Sequence, residues 1–232
     1  MPSVPPTTPS ALLRYDAAII DLDGTMVDTV GDFEQAVAGL LQELGRPPLD
    51  SVTVSHMVGK GSEHLVAAAL KHVGLEHDFD DALARYYAHY ARVNGRHSTV
   101  FPGVPEGLAA LRTAGLQLAC LTNKPVLFAR ALLQEKGLDG YFSHVFGGDS
   151  YPRKKPDPLP LRETCKALGS LPSRTLAIGD SRNDAEAARA AGCRVLLVTY
   201  GYNHGEPIHA VDADFFVDTL EAVPAVTGMA DA

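Results

Sequence analysis

From residue 101 onward the sequence alternates between short apolar runs and amphipathic stretches. The apolar runs lack the polar alternation of half-exposed strands, so they are typical of parallel strands covered by helices on both faces. We therefore predict a doubly wound α/β fold with a parallel sheet, in which Ala17–Asp21 is a central strand. The other predicted elements are, in chain order, strand Gln117–Thr122, helix Val126–Lys136, strand His144–Phe146, helix Leu159–Leu168, strand Thr175–Ile178, helix Asp184–Ala191 and strand Arg194–Thr199.

The alternation stops between residues 29 and 100, where three helical stripes appear instead. We predict an α-helical cap domain at residues 29–100, inserted into a core made of residues 11–28 and 101–227, with a disordered tail at residues 1–10. Such a cap could close over a reacting group, although it could also be structural elaboration. Its last stripe contains Tyr86, Tyr87 and Tyr90, which would either fill the interior or cover a dimer surface.

Composition narrows the class of protein. Apolar residues make up 46% of the chain and charged residues 21%, as in a well-packed soluble protein. The net charge of -8 comes without a long basic block, which argues against nucleic acid and anionic membranes as partners. No run approaches the roughly 18 apolar residues of a membrane span. The cysteines Cys120, Cys165 and Cys193 form no CxxC pair, which indicates a reducing compartment, so we expect the protein in the cytoplasm. We expect it to be a monomer or a homodimer.

Two carboxylates, Asp21 and Asp23, follow the apolar run at the end of the first predicted strand. One carboxylate can attack phosphorus while the other exchanges protons with the leaving and attacking oxygens, provided that a cation screens their repulsion. Asp and Gly after a strand are also ordinary turn formers. The pair therefore indicates phosphoryl transfer only if matching chemistry recurs elsewhere in the chain.

Matching residues do recur at later predicted strand ends. Thr122 and Asn123 precede a helix start that can hold phosphate, although Thr122 could instead be the helix cap. Lys155 lies in a proline-stiffened basic cluster and could neutralise a carboxylate and a phosphoryl oxygen together, but basic loops are often merely solvated.

The strand ending at Gly179 brings a third group of acids. Asp180 follows this strand, and Asp184 comes four residues later at a helix start. Carboxylate oxygens in this setting suit Mg²⁺. Asp184 could bind the ion, cap the helix or steady Lys155, and we favour the last two. Because all of these residues fall at the carboxyl ends of predicted parallel strands, they are expected to form one site.

In this order, the motifs resemble those of the haloacid dehalogenase-like hydrolase superfamily. The match covers the chain apart from its tails. It rests on the stretch Asp21-Leu22-Asp23-Gly24-Thr25, on Thr122, on Lys155-Pro156, and on Gly179-Asp180 with Asp184.

The resemblance implies that Asp21 is a nucleophile that forms an aspartyl-phosphate and that Asp23 is the general acid/base. Thr122, with Asn123 beside it, and Lys155 would bind the phosphoryl group. The presence of an acid at position 23 resembles the phosphatases more than the dehalogenases that name the superfamily. Phosphoryl transfer is therefore the expected reaction.

The resemblance also implies an Mg²⁺ site. Asp21, the backbone carbonyl of Asp23, and Asp180 would hold the ion. Asp184 and Thr25 are expected beside these ligands rather than on the ion. The substrate would be a small phosphate ester.

Within the superfamily, the chain is similar to the phosphoglycolate phosphatases on three stretches, which are Met57–Gly61, Phe101–Val104 and Tyr200–Asn203. This similarity implies hydrolysis of 2-phosphoglycolate to glycolate and phosphate. Other sugar-phosphate phosphatases and the β-phosphoglucomutases share parts of these stretches, so both remain alternatives. In the first stretch, Lys60 and Gly61 could face the carboxylate end of the substrate, or the stretch could be a simple turn with a solvated lysine.

Overall fold

The computed structural model describes residues 15–229. The predicted disordered tail at residues 1–10 and the first residues of the predicted core, 11–14, lie outside this range. Within it the strands are, in chain order, β1 (Ala17–Ile20), β2 (Val27–Asp28), β3 (Thr99–Val100), β4 (Gln117–Leu121), β5 (His144–Phe146), β6 (Thr175–Gly179), β7 (Arg194–Val198) and β8 (Phe215–Val217).

The same range contains α-helices between the strands and after the last one. They are α1 (Val30–Glu43), α2 (Ser51–Ser55), α3 (Ser62–His72), α4 (Phe79–Val93), α5 (Val104–Thr113), α6 (Val126–Glu135), α7 (Leu159–Ala167), α8 (Arg182–Ala191) and α9 (Val223–Thr227). Single 3₁₀ turns occupy Asp139–Tyr141, Pro172–Arg174, Ile208–Ala210 and Leu220–Ala222.

The main sheet has six strands in the order β5-β4-β1-β6-β7-β8, and every neighbouring pair is parallel. Successive residues of a strand point to opposite faces. Accordingly, Ile20 packs in an apolar cluster with α5 and α6, whereas Ile19 packs in a second cluster with α7 and α8. The prediction of a doubly wound parallel sheet with β1 at its centre is confirmed.

The strand register aligns the polar residues that follow the strands. Ile20 of β1 lies opposite Cys120 of β4 on one side and Ile178 of β6 on the other. Strands β1, β4 and β6 therefore end at the same level of the sheet, and the residues that follow them in the sequence are the predicted site residues. Because of this register, the residues that follow these three strands lie close together.

Several elements were not predicted from the sequence. The two-residue strands β2 and β3 pair antiparallel, with Val27 opposite Val100 and Asp28 opposite Thr99. Helices α2, α5 and α9 and the short strand β8 were also missed. Two- and three-residue strands are too short to show a period of two, so their hydrogen bonds become visible only in the folded chain. The hairpin of β2 and β3 brings the chain entering the helical segment alongside the chain leaving it.

Residues 30–93, which we call the helical segment, contain α1 to α4 and share an apolar cluster of their own. Tyr86 and Tyr90 are fully buried in this cluster, and Tyr90 stacks on Phe33 with ring centroids 5.4 Å apart. The interior role predicted for Tyr86 and Tyr90 is confirmed, and Tyr87 is partly buried beside them. Phe128 of α6 meets Tyr90 edge-on at 5.0 Å, so the segment also contacts the sheet layer.

The three cysteines lie in the interior and form no disulfide among residues 15–229. Cys120, Cys165 and Cys193 are buried and free. They therefore serve as small apolar side chains of the two clusters that cover the sheet. Among residues 15–229, no helix combines the length and apolar character that crossing a membrane requires.

Asp32 ties the first helix of the segment to the chain that returns from its last helix. Its side chain is fully buried, and its two oxygens accept hydrogen bonds of 2.7 Å from the backbone N–H groups of Gly95 and His97. Lys136 of the sheet layer donates to the carbonyl oxygens of Gly95 and Ser98 at 2.6 and 2.7 Å. The return loop is thus held from both sides.

Replacing Asp32 with alanine should lower the free energy of unfolding by about 2–4 kcal/mol, because two backbone N–H groups lose their charged acceptor. Asp32→Asn keeps one acceptor oxygen and should lose less. Urea unfolding followed by circular dichroism measures both effects. Glu76→Ala, which removes an exposed acid of the same segment, is the control and should change stability by less than about 0.5 kcal/mol. Equal stability of the Asp32→Ala and Glu76→Ala variants would contradict this account.

Candidate active site

The carboxyl ends of three adjacent strands meet at one edge of the sheet. Asp21 and Asp23 follow β1, Thr122 follows β4, and Asp180 follows β6, while Lys155 reaches the same place from the loop before α7. All five side chains are buried. The structure therefore brings together the acidic, hydroxyl and ammonium groups that the sequence predicted for one site.

Lys155 is the cation at the centre of this group. Its Nζ lies 2.8 Å from Asp21 Oδ1 and 2.7 Å from Asp184 Oδ1, and it donates to the Leu121 carbonyl oxygen at 2.9 Å. The side-chain amide of Asn123 donates to the backbone carbonyl of Lys155 at 2.9 Å, which fixes the loop. The solvated-loop alternative for Lys155 is wrong, because this ammonium group is held between two carboxylates.

Asp184 holds Lys155 and also closes the first turn of α8. Its Oδ1 accepts from Lys155, while its Oδ2 accepts from the Ser181 backbone N–H at 3.2 Å in a capping box and also from the Ser181 hydroxyl at 2.6 Å. The two roles that we favoured for this residue are therefore both present. One carboxylate oxygen from each of Asp21, Asp180 and Asp184 lies within 4.8 Å of the others, so Asp184 is also close enough to complete an acidic triad.

Asp180 is held by backbone packed tightly around it. Its Oδ2 accepts from the Tyr202 N–H at 2.6 Å, and its Oδ1 accepts from the Thr25 hydroxyl at 3.3 Å. Gly24 has a φ of +83°, and a Cβ there would lie 2.2 Å from Asp180 Oδ2. A Cβ on Gly201 would lie 2.4 Å from the same atom. Only glycine leaves room at both positions for the carboxylate.

The electrostatics of the site show an excess of negative charge. Burial raises the pKa of Asp21 to about 7, and the charges of Asp184 and Asp23 add to this effect against the opposing charge of Lys155. Burial and the charges of Asp184 and Asp21 raise the pKa of Asp180 well above its usual range. Burial lowers the pKa of Lys155, but Asp184 and Asp21 outweigh burial and raise it above the ordinary value. Lys124 pairs with Asp23, which leaves the one ammonium group of Lys155 against the three buried carboxylates of Asp21, Asp180 and Asp184.

This donor set fits a hard divalent cation. All of its ligand atoms are carboxylate oxygens, which are the ligands that such ions prefer. Burial raises the pKa values of Asp21 and Asp180, and the neighbouring carboxylates raise them further despite the charge of Lys155, so a divalent cation at this place would favour their ionised forms. The carboxylate of Asp23 accepts a hydrogen bond from Lys124 and is not part of the acidic triad. Binding of the metal ion by the backbone carbonyl of Asp23 remains a prediction.

Thr122 is not a helix cap. The cap residue of α6 is Pro125, three positions later, so the capping alternative for Thr122 is wrong. The Thr122 hydroxyl oxygen accepts from the Lys124 N–H at 3.2 Å. Its own O–H therefore stays available as a donor toward the site.

A small cavity separates the sheet edge from the helical segment. Its free volume is about 20 Å³, room for roughly one water molecule. From the sheet side it is lined by Asp21, Asp23, Thr122, Asn123 and Lys124, and from the segment by Phe33, Val58, Gly59, Gly61, Ser62 and Leu65.

Comparisons with known proteins agree with this geometry. A family model described as haloacid dehalogenase-like hydrolase matches residues 15–192. The chain belongs to this family. A phosphoglycolate phosphatase of Thiobacillus denitrificans is 44% identical over 220 residues, which cover 93% of this chain and 97% of that protein.

Two further relatives of this hydrolase are similarly complete. A plasmid-encoded phosphoglycolate phosphatase of Cupriavidus necator is 46% identical over 216 residues, covering 92% of this chain and 94% of that protein. A crystal structure described as a predicted phosphoglycolate phosphatase from Haemophilus somnus superposes with a TM-score of 0.86 at 32% identity, covering 92% of this chain and 98% of that one. The similarity thus extends over both the sheet and the helical segment.

The two residues of the helical segment singled out in the sequence of this hydrolase end up in different places. Gly61 lines the cavity, beside Gly59, whose carbonyl oxygen accepts from the Asn123 amide at 3.0 Å. Lys60 is exposed and is not among the cavity-lining residues. Its contact with a substrate carboxylate remains a prediction.

Sequence reasoning gave Lys124 no role in the site. Its ammonium group is buried, hydrogen-bonds Asp23 Oδ1, and lies 4.6 Å from the ring centroid of Phe33 and 5.2 Å from that of Tyr90. The signal that could have found it is its position directly after Thr122 and Asn123, at the same sheet edge as the acids. Its aromatic contacts come from the helical segment and are visible only in the fold.

In the metal-free hydrolase, the side-chain carboxyl of Asp21 should titrate at a pH of about 7, because it is buried beside other acids. Carbon-13 NMR of aspartate-labelled protein measures this titration. Asp184→Asn should lower the pKa of Asp21, since it removes a negative neighbour and leaves Lys155 to Asp21 alone. Asp139→Asn, at an exposed site, is the control and should leave it unchanged. Titration of Asp21 near its ordinary value of about 4 would contradict the electrostatic account.

Proposed function

We propose that this chain is an Mg²⁺-dependent phosphatase that hydrolyses 2-phosphoglycolate to glycolate and phosphate through an aspartyl-phosphate on Asp21. The observation that carries the proposal is the position of Asp21, which lines the cavity and contacts Lys155 within a buried acidic cluster. The relatives named phosphoglycolate phosphatase support the choice of substrate, because their similarity spans the whole site.

In the first step, an Asp21 carboxylate oxygen attacks phosphorus and the bond from phosphorus to the glycolate oxygen breaks. The departing oxygen takes the electron pair of that bond and receives a proton from Asp23. Lys155 and the Thr122 hydroxyl hold the phosphoryl oxygens and stabilise the charge that develops on them. Asp21 then carries the phosphoryl group as an acyl phosphate.

In the second step, water attacks the phosphorus of the aspartyl-phosphate. Asp23, now ionised, takes a proton from this water, and the bond between phosphorus and the Asp21 oxygen breaks. Phosphate leaves and both aspartates return to their starting states. One buried carboxylate thus serves as the acid in the first step and the base in the second.

Asp21, Asp180 and the backbone carbonyl of Asp23 would hold Mg²⁺. The bound ion would polarise the phosphoryl group and offset the negative charge gathered at the sheet edge. Thr25 and Asp184 would act beside it, since Thr25 orients Asp180 and Asp184 orients Lys155.

We also propose that residues 29–100 form a cap domain on a core of residues 11–28 and 101–227. The cavity holds about one water molecule, so a phosphate ester can enter only when the cap and the sheet edge separate. Contacts that would break include the hydrogen bond from Asn123 to the Gly59 carbonyl and the ion pair of Lys154 with Glu63 at 2.6 Å. Closure would then exclude bulk water from the reacting phosphoryl group.

The setting that we propose follows from charge and cysteine chemistry. A net charge of -8 without a basic block disfavours nucleic acid as a partner. The partner that the proposed reaction requires is a small phosphate ester. Three buried free cysteines suit a reducing compartment, and we propose the cytoplasm. The protein would act there as a monomer or a homodimer.

The proposal is tested by measuring phosphate release from a panel of small phosphate esters and isomerisation of β-glucose 1-phosphate. The expected result is Mg²⁺-dependent hydrolysis with the highest kcat/KM for 2-phosphoglycolate, abolished by a chelator and restored by Mg²⁺. Asp21→Asn should lower kcat at least about a thousandfold, because the nucleophile is lost. Asp23→Asn should lower it by about 10²–10⁴, the usual contribution of a general acid/base.

Acid quenching during turnover provides the control on the order of steps. Asp23→Asn should leave phosphate covalently bound to the protein, whereas Asp21→Asn should leave none. Asp139→Asn should retain wild-type rates, since Asp139 is exposed and precedes β5, at the end of the sheet opposite to the site. Full turnover by the Asp23→Asn variant would refute the acid/base role, and isomerisation without phosphate release would refute hydrolysis.

A further inference from the structure

The cavity contains a buried positive charge that the phosphatase mechanism above does not use. Among residues 15–229, the buried lysine and arginine side chains are those of Lys124 and Lys155. Lys155 is occupied by Asp21 and Asp184, whereas Lys124 lines the cavity and hydrogen-bonds Asp23. Burying an ammonium group is costly unless it meets an anion, and here that anion is the Asp23 carboxylate. When Asp23 turns to the leaving oxygen in the proposed reaction, the Lys124 ammonium group needs another anion.

The surroundings of Lys124 favour a second anion in the same cavity. The faces of Phe33 and Tyr90 flank the ammonium group, which orders it without neutralising it. The N-terminus of α3, at Gly61 and Ser62, lines the same cavity, and no side chain caps it. Its free backbone N–H groups add partial positive charge. Two independent positive features therefore face the space beyond the phosphoryl site.

The position of Lys124 relative to the reaction identifies that anion. Asp23 must reach the leaving oxygen of the ester, and Lys124 touches Asp23, so the ammonium group lies next to the leaving oxygen. In 2-phosphoglycolate, the carbon attached to this oxygen also carries the carboxylate. The carboxylate is thus the group that would come within reach of Lys124 when the phosphoryl group is at Asp21.

We propose that Lys124 binds the carboxylate of the leaving group and makes the enzyme selective for phosphate esters of 2-hydroxy acids. This inference rests on the proposed function and names the residue that recognises the carboxylate of the substrate. On binding, the Lys124 ammonium exchanges its bond to Asp23 for one to the substrate carboxylate, which frees Asp23 to protonate the leaving oxygen. Lys60, the lysine that the sequence suggested for this contact, is exposed outside the cavity.

The test compares two substrates that differ only in the carboxylate, 2-phosphoglycolate and ethyl phosphate, in the Mg²⁺-loaded enzyme. For each variant the ratio of the two kcat/KM values is measured. Lys124→Met should lower this ratio at least tenfold, with a higher KM for 2-phosphoglycolate, because a charged hydrogen bond is lost for one substrate only. Lys124→Arg should retain part of the ratio. Lys71→Met, which removes an exposed lysine of α3, should leave it unchanged.

The ratio is insensitive to partial misfolding, because unfolded molecules lower both rates equally. Equal losses for both substrates in Lys124→Met would overturn the inference, since Lys124 would then act only through Asp23. A ratio lost in Lys60→Met and kept in Lys124→Met would also overturn it and assign the carboxylate to Lys60. Failure of the proposed function is seen separately, in a wild-type enzyme that does not prefer 2-phosphoglycolate to ethyl phosphate.

Discussion

The structure depends on an imbalance of charge at the carboxyl ends of its central strands. Asp21, Asp180 and Asp184 are buried within reach of one another, and Lys155 is the ammonium group that contacts two of them. Burial of uncompensated carboxylates opposes folding, and here the rigid parallel sheet and the glycines packed on Asp180 hold them in place. The site is therefore prepared for a cation, whose binding recovers the free energy that the clustered acids cost. The bound cation would in turn offset the negative charge of an incoming phosphoryl group.

The sequence was sufficient to predict five of the six strands of the main sheet and the residues at its edge. Apolar runs of strand length fix which residues lie in parallel strands, and parallel strands place their carboxyl ends together, so Asp21, Thr122 and Asp180 followed from local pattern alone. The pairing of β2 with β3 could not be predicted, since two residues carry no period. It depends on the helices between them returning the chain to its starting point.

The side-chain partners were harder to predict than the positions. The sequence left Asp184 between three roles, and its bond to Lys155 required knowing that a loop 29 residues away returns to α8. Lys124 went unnoticed because its environment combines an acid after β1 with two rings of the helical segment. Lys60 shows the converse limit, since a glycine-rich turn does not reveal which way its lysine points.

The central claim is that one cation and one phosphoryl group are held together at this sheet edge. A crystal structure of the protein with Mg²⁺ and beryllium trifluoride, which mimics a phosphoryl group on aspartate, tests it most directly. The account predicts the fluoride complex on the Asp21 carboxylate, within hydrogen-bond distance of Thr122 and Lys155, with Mg²⁺ bound to Asp21 and Asp180. A complex on Asp23, or an ion bound away from Asp21 and Asp180, would contradict it.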